Sequence, residues 1–268
     1  MSAPQSTAPA GRWGDLKKRV ASAIVMLALG GVAIWLGGAA FALLAIVVTG
    51  LMIWELSTMT GPSASGNAIL LGVIAAGVLA LVLFLHSPFA LALLVLPPLA
   101  GLWGSRQDRP IFGLYALGIM LTGYGLVALR EGQGLGAITW IVAVVVISDV
   151  AGYFAGRTLG GPKFWPRISP KKTWSGTVAG WIGAAVIGWL FTLVGGGAAL
   201  IWMSPLVAFA GQMGDIAESW IKRRAGVKDS SSLIPGHGGV MDRFDALLGA
   251  VLLLLLISQF MPLPLTGG

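Results

Sequence analysis

Long uninterrupted apolar runs, not an alternation of apolar and polar positions, set the pattern of this chain. Nine runs approach membrane-spanning length: 20–36, 39–54, 68–85, 89–104, 111–129, 138–156, 177–198, 200–218 and 244–262. About 20 residues of helix cross the hydrocarbon of a bilayer. No soluble core needs so many such runs. The pattern therefore predicts an all-α, polytopic integral membrane protein with about nine transmembrane helices. Two joints are very short, Gly37-Gly38 and the stretch 195–199, so these neighbouring runs nearly merge.

Charge gives the runs a direction. With the N-terminus placed inside, the inner segments hold Arg12, Lys17, Lys18 and Arg19, then Arg106 and Arg109. The next inner loop holds Arg157, Lys163, Arg167, Lys171 and Lys172, and the last holds Lys222, Arg223, Arg224, Lys228 and Arg243. That is 16 of the 17 basic residues, with Arg130 alone outside, the bias that cytoplasmic loops carry. Dropping one span would export a large basic loop. The expected topology is N-terminus in and C-terminus out, in a cell inner membrane. The formal net charge of +7 is then a topology signal and not a nucleic-acid signal.

Composition agrees. The chain is 56% hydrophobic and only 10% charged, against about 25% charged in soluble domains. The 40 glycines suit close helix packing in a membrane. The absence of cysteine excludes disulfides and thiolate metal sites. Residues 11–38 have the outline of a signal peptide, but eight further spans favour an uncleaved first helix. The expected organisation is a cytoplasmic tail, 1–19, disordered over 1–11, followed by one membrane-embedded catalytic domain, 20–268. Long polar connections occur only at 157–176 and 219–243.

Chemistry concentrates in those connections and at their borders. Asp149 lies inside an apolar run, eight residues before Arg157 and thus roughly 12 Å deeper on a helix. An ionisable residue in a span is a functional-site hypothesis by default, and the bland alternative is a capped structural carboxylate. Gly152 and Gly156 follow at four-residue spacing and would admit another helix closely. Asp215 and Glu218 are three apart and share a helix face. Asp215 is roughly 10 Å deeper than Lys222 if the helix continues, a depth similar to that of Asp149. Facing carboxylates in low dielectric repel unless a cation lies between them, and oxygen ligands favour Mg²⁺ or a similar hard cation. For Glu218, a salt bridge to Lys222 explains the residue equally well.

The stretch Ser169-Pro170-Lys171-Lys172-Thr173 precedes a helix expected to start within 173–177. Pro170 favours an extended entry, and ammonium groups with helix N-terminal amides suit a phosphate. A basic loop against anionic lipid is an equal reading. In residues 219–245, Lys222, Arg223, Lys228 and Arg243 accompany a Pro-Gly-His-Gly-Gly turn and an Asp242-Arg-Phe-Asp245 opening of the last span. The turn glycines permit amides to converge on an anion, and His237 sits between two of them. One aspartate at 242 or 245 could be a helix cap; two beside a histidine suggest more. Carboxylates for a metal, cations for phosphates and a membrane for the other substrate point to phosphoryl or nucleotidyl transfer onto a lipid.

Residues 219–245 resemble the phosphatidate cytidylyltransferases, or CDP-diacylglycerol synthases. The matching positions are Ser219, Lys222, Arg223, Lys228, Asp229, Pro235, His237, Gly238, Gly239, Asp242, Arg243 and Asp245. Asp149, Gly152, Tyr153, Gly156 and Arg157, and the run from Ser169 to Thr173, are similar to the same family, so the resemblance covers about 105–262. Ser175 stands where the family usually has Glu or Gln. The resemblance implies that CTP and phosphatidate give CDP-diacylglycerol and pyrophosphate with Mg²⁺, a second, monovalent cation remaining open, and that the enzyme is a homodimer. It assigns Asp215 and Asp242 to the metal, with Asp149 and Asp245 as additional ligands or supports. Catalysis is expected from Asp215, Asp242, His237, Lys222 and Arg223. Substrate phosphates are expected at Ser169, Lys171, Lys172, Thr173, Lys228, Arg243, Gly238 and Gly239, with His237 as a hydrogen-bonding group. The competing readings are a CTP-dependent polyprenol or lipid kinase and an anionic-solute transporter.

Overall fold

A computed structural model describes residues 12–61, 66–103 and 108–265, without the side chains of 12–18 and of residue 66. Most of the tail, and Arg106 among the inner cations, lie outside the described residues. The chain is overwhelmingly helical, as apolar runs in lipid must be, since only a helix or a closed barrel satisfies its own backbone there. The helices are α1 (Arg12–Leu36), α2 (Gly38–Thr60), α3 (Gly66–Leu85), α4 (Leu96–Leu102), α5 (Arg109–Thr158), α6 (Trp174–Thr192), α7 (Leu200–Arg224) and α8 (Met241–Ser258). A 3-10 segment, Pro88–Val95, leads into α4. Six of the described helices are long and apolar enough to cross a membrane.

Glycine supplies the sharpest breaks. Gly37, with φ of 64°, separates α1 from α2, and a side chain there would collide with the Arg130 guanidinium. Arg130 Nε donates to the Ile34 carbonyl at 3.1 Å, satisfying an acceptor that the end of α1 leaves open. The basic residue expected outside thus caps a helix end. Within α5, Gly134 has φ of 73° and ψ of −167°, which an L side chain rarely adopts.

That break reverses the chain. A straight 50-residue helix would be about 75 Å long, yet both ends of α5 meet the C-terminal half of α7. Asp108, just before α5, pairs with Arg224. On the second arm Trp140 bonds Ser204 and Ser148 bonds Gln212, so this arm runs parallel to α7. On the first arm Gly118 faces Leu248 and Leu252 while Gly125 faces Val251 and Leu255, so it runs parallel to α8. Helix α8 is antiparallel to α7, because Gly214 faces Asp245 and Gly211 faces Ala246. The two arms of α5 are therefore antiparallel.

Small residues bring the site helices together. A Cβ on Gly176 would lie 2.5 Å from the Gly152 carbonyl oxygen, and one on Gly249 would meet the Ala210 backbone. The spacing at Gly152 and Gly156 marks the surface where α5 meets α6, Gly156 facing Thr173. The basic loop before α6 carries the two strands of the described chain. Strands β1 (Lys163–Trp165) and β2 (Ser169–Thr173) pair antiparallel, with Lys163 opposite Thr173 and Trp165 opposite Ser169. Pro170 lies in β2, consistent with its extended preference.

Candidate active site

One end of the bundle gathers nearly all the ionisable chemistry. The C-terminal ends of α2, α7 and the second arm of α5 arrive there, as do the N-terminal ends of α6 and α8 and the hairpin β1–β2. Helix α1 joins them through Ser22, whose hydroxyl donates to the Pro235 carbonyl at 3.0 Å and lies 2.9 Å from His237 Nδ1.

The centre is a group of three carboxylates. Asp215, Glu218 and Asp245 each present an oxygen within 4.8 Å of the others. Asp215 and Glu218 lie one turn apart on α7, and the contact of Gly214 with the Asp245 carbonyl sets α8 beside them. Glu218 is fully buried. Its Oε2 accepts from Lys222 Nζ at 2.9 Å, the expected pairing along the helix. Its Oε1 is buried with no hydrogen-bond partner. A buried acceptor without a donor among facing carboxylates fits a cation, and an all-oxygen set fits a hard one.

Two lysines hold these acids from opposite sides. Lys172, at the end of β2, reaches Asp215 Oδ2 at 2.5 Å and the Gln212 carbonyl at 3.4 Å. Lys222 bridges Glu218 and Asp242, the latter at 2.5 Å. Ser219 donates to Asp215 Oδ1 at 3.3 Å. The Asp149 side chain is exposed at the surface of the bundle, and the charges that act on it are those of Lys172, Asp215 and Arg243. Its shared depth with Asp215 follows from the Ser148–Gln212 bond beside it.

Asp242 lies outside the group of three. Its Oδ2 accepts from Ser230 N at 3.0 Å, Ser230 Oγ at 2.9 Å and Gly239 N at 2.7 Å. Its Oδ1 is held by Lys222. Within the glycine-rich turn, the Gly239 amide is thus already occupied by the protein's own carboxylate. Gly238, with φ of 83°, has the Asp242 carboxylate close by. Arg243 donates to the His237 carbonyl at 3.0 Å.

The remaining expected residues divide into the structural and the exposed. Thr173 is the N-cap of α6: its Oγ1 accepts from Gly176 N at 3.2 Å. Ser175, the departure from the family pattern, donates to the Gly160 carbonyl and pins the connection between α5 and β1. Ser169 is half-buried on β2, whereas Lys171, Arg223 and Lys228 are exposed. Arg224, on the rim, donates to both Asp108 oxygens at 2.7 and 2.6 Å. That hydrogen bond holds the Asp108 carboxyl below its ordinary range.

Gln212 and Glu55, both buried and polar, were not singled out from the sequence. Gln212 joins three helices: its Nε2 donates to Ser148 Oγ at 3.1 Å and its Oε1 accepts from Trp181 Nε1 at 3.1 Å. Glu55, on α2, is fully buried and accepts from the signature loop. Both carried a usable signal: Gln212 lies within an apolar run and Glu55 directly follows one.

Carboxylates that could hold a cation beside exposed ammonium and guanidinium groups, at one end of an apolar bundle, suit chemistry on anionic phosphates. The chain belongs to the cytidylyltransferase family: the model described as "Cytidylyltransferase family" matches residues 17–261. It is 38% identical over 263 residues to the phosphatidate cytidylyltransferase of Brucella suis biovar 1 (strain 1330), covering 93% of this chain and 96% of the relative. It is 36% identical to the protein of that name from Pseudomonas aeruginosa, over 88% of this chain and 94% of the other. A Helicobacter pylori phosphatidate cytidylyltransferase (strain 26695) is 41% identical over 47% of this chain and 48% of its own.

Proposed function

We infer that this chain is a nucleotidyltransferase that moves the cytidylyl group of CTP onto phosphatidate, giving CDP-diacylglycerol and pyrophosphate for phospholipid synthesis. The observation that carries this is similarity to phosphatidate cytidylyltransferases along nearly the whole chain. A phosphatidate phosphate oxygen attacks the α-phosphorus of CTP, and the bond to the β-phosphate oxygen breaks. The nucleophile is already an anion, so no residue has to remove a proton from it. Two anions must instead be brought together and pyrophosphate must leave. Exposed Lys171, Arg223, Lys228 and Arg243 are proposed to orient the phosphates from the rim, with His237 as a hydrogen-bonding partner. Lys172 and Lys222, now paired with carboxylates, are proposed to share that task.

Asp215, Glu218 and Asp245 are proposed to hold Mg²⁺, with Asp242 contributing the oxygen now on Lys222 and Asp149 in support. The buried, unpartnered Glu218 oxygen supports this assignment. Such an ion supplies charge screening between the reacting phosphates and relief of charge on the leaving pyrophosphate.

We further propose nine crossings, in an inner membrane, with the N-terminus and the site on the cytoplasmic side. Support comes from the antiparallel arms of α5, the apolar stretch 88–102 and the gathering of basic residues at the site end. A homodimer is proposed as well, to be checked by light scattering in detergent. The deciding assay for the reaction is purified protein with α-labelled CTP, phosphatidate and Mg²⁺. Labelled lipid and released pyrophosphate are expected. Unlabelled phosphorylated lipid with labelled CDP would indicate a kinase and overturn the reading.

A further inference from the structure

We propose that Glu55 is a positioning residue that closes the 230–241 loop over the site, so that α2, far from the signature in sequence, sets the geometry of the rim. This rests on the reading of that loop as part of the substrate site.

Glu55 is fully buried on α2 and is met by four donor groups of one segment, the single Ser230 hydroxyl proton being shared with Asp242. Its Oε1 accepts from Ser231 Oγ at 2.6 Å and Val240 N at 2.8 Å. Its Oε2 accepts from Ser230 Oγ at 3.1 Å and Met241 N at 2.7 Å. Each oxygen thus takes one hydroxyl from the loop's beginning and one amide from its end. A single carboxylate ties the two ends of the segment together.

The same bonds fix the start of α8. Val240 and Met241 stand at its first positions, where amides lack intrahelical acceptors and favour negative charge. Asp242 and Asp245 follow within that turn, so the contact that places Val240 and Met241 also places those acids. Asp242 accepts from Ser230 as well, so Ser230 links the two carboxylates. No atom of Glu55 is among the three convergent carboxylate oxygens, so its action on the site runs through the loop.

A carboxylate suits this place and an amide does not. Four donors meet two acceptor oxygens, and an amide nitrogen in place of either oxygen would face a backbone N–H. Hydroxyls can rotate away, but a backbone N–H cannot, so Glu55→Gln leaves one amide without an acceptor.

The test measures hydrogen exchange and steady-state kinetics on the purified full chain, wild type and Glu55→Gln, with Ser231→Ala as a milder second variant. Ser231→Ala removes one donor and keeps both backbone bonds to Glu55, so its folding is not at risk. In Glu55→Gln, exchange at 239–241 should rise about fivefold or more, the lower end of what an unsatisfied buried donor costs. Protection in α5 and α7 should stay as in wild type, while the thermal shift given by Mg²⁺ should shrink, because Asp242 and Asp245 are placed through the same loop end. The value of kcat/KM for CTP should fall about tenfold or more, as misplaced substrate-holding groups do. Ser231→Ala should move both readouts the same way by less.

Unchanged exchange at 239–241 in Glu55→Gln overturns the proposal. So does faster exchange there with wild-type kcat/KM, and so does uniform loss of protection through α5 and α7, which marks a purely structural role. If Glu55→Gln does not fold, unchanged exchange and kinetics in Ser231→Ala overturn it. Wild-type protein that makes no CDP-lipid defeats the reading of the reaction instead, and the exchange comparison still decides whether Glu55 closes the loop.

Discussion

Replacing Asp242 by asparagine separates anchoring from repulsion at the centre of the site. If Asp242 only repelled neighbouring acids, removing its charge would stabilise the metal-free protein. The structure argues for the opposite sign. Oδ2 accepts from two backbone amides and shares the Ser230 hydroxyl with Glu55, and Oδ1 holds Lys222 at 2.5 Å. The two side chains are only 5% and 12% exposed, so water does little to replace what is lost. Asparagine has two orientations. With its nitrogen toward Gly239 and Ser230, two backbone donors lose their acceptor, at about 1–3 kcal/mol each. With its nitrogen toward Lys222, one charge-assisted bond is lost, at about 1.5–3 kcal/mol. The second is cheaper, and Lys222 keeps Glu218, so the cost stays below the roughly 3–5 kcal/mol of an abandoned buried charge. We expect Asp242→Asn to be destabilised by about 2 kcal/mol, a fall in Tm of roughly 4–8 °C. The measurement is thermal unfolding in detergent with a chelator present. A variant that melts at or above wild type there would refute the anchoring argument.

Other outcomes follow from the same geometry. Mg²⁺ at 100 times its Kd should stabilise the wild type by about 2.7 kcal/mol, and Asp215→Asn or Asp245→Asn should lose most of that shift in a thermal melt. Gly176→Ala should cost about 1–3 kcal/mol through overpacking, because its Cβ meets the Gly152 carbonyl, whereas Gly77→Ala, with nothing within 4 Å, should be neutral; parallel melts compare them. Lys171→Ala should raise KM without changing Tm, since its side chain is exposed on β2, and wild-type kinetics would remove it from the phosphate site. The Arg224 bond lowers the Asp108 pKa, so this pair's contribution is complete above the ordinary carboxylate value of about 4 and fades only as pH falls through the lower folded value. Asp108→Asn and wild type should therefore show the same pH dependence of Tm from 6 to 8 and diverge only in strong acid.

What the sequence made legible was whatever depends on periodicity and local spacing. The apolar runs became helices, the joint at Gly37-Gly38 became a break, and the helix after Thr173 began at Trp174 with Thr173 as its cap. The pairing of Glu218 with Lys222 follows from i,i+4 geometry and is present. Long-range partners were not legible. Ser230 and Glu55 are 175 positions apart, and nothing local to either predicts the contact. The reversal at Gly134 is read from the contacts of the two arms, because one glycine in a glycine-rich chain carries little signal. The turn glycines were expected to receive a substrate anion. The Gly239 amide serves Asp242, because a buried carboxylate needs donors and this amide lies within reach.

The balance of charge gives the site its logic. Five carboxyl groups, Asp149, Asp215, Glu218, Asp242 and Asp245, gather where two inward ammonium groups, Lys172 and Lys222, pair with three of them. Exposed cations, Lys171, Arg223, Lys228 and Arg243, lie around them. A phosphate arriving alone would be drawn to the rim and repelled by the centre. A hard cation would be drawn to the centre and repelled by the rim. Each species thus lowers the cost of admitting the other, and binding of nucleotide and of Mg²⁺ should be mutually reinforcing, with reciprocal effects on affinity. Calorimetric titration of nucleotide with and without the ion measures that coupling, and equal affinities in the two titrations would remove the carboxylate centre from nucleotide binding.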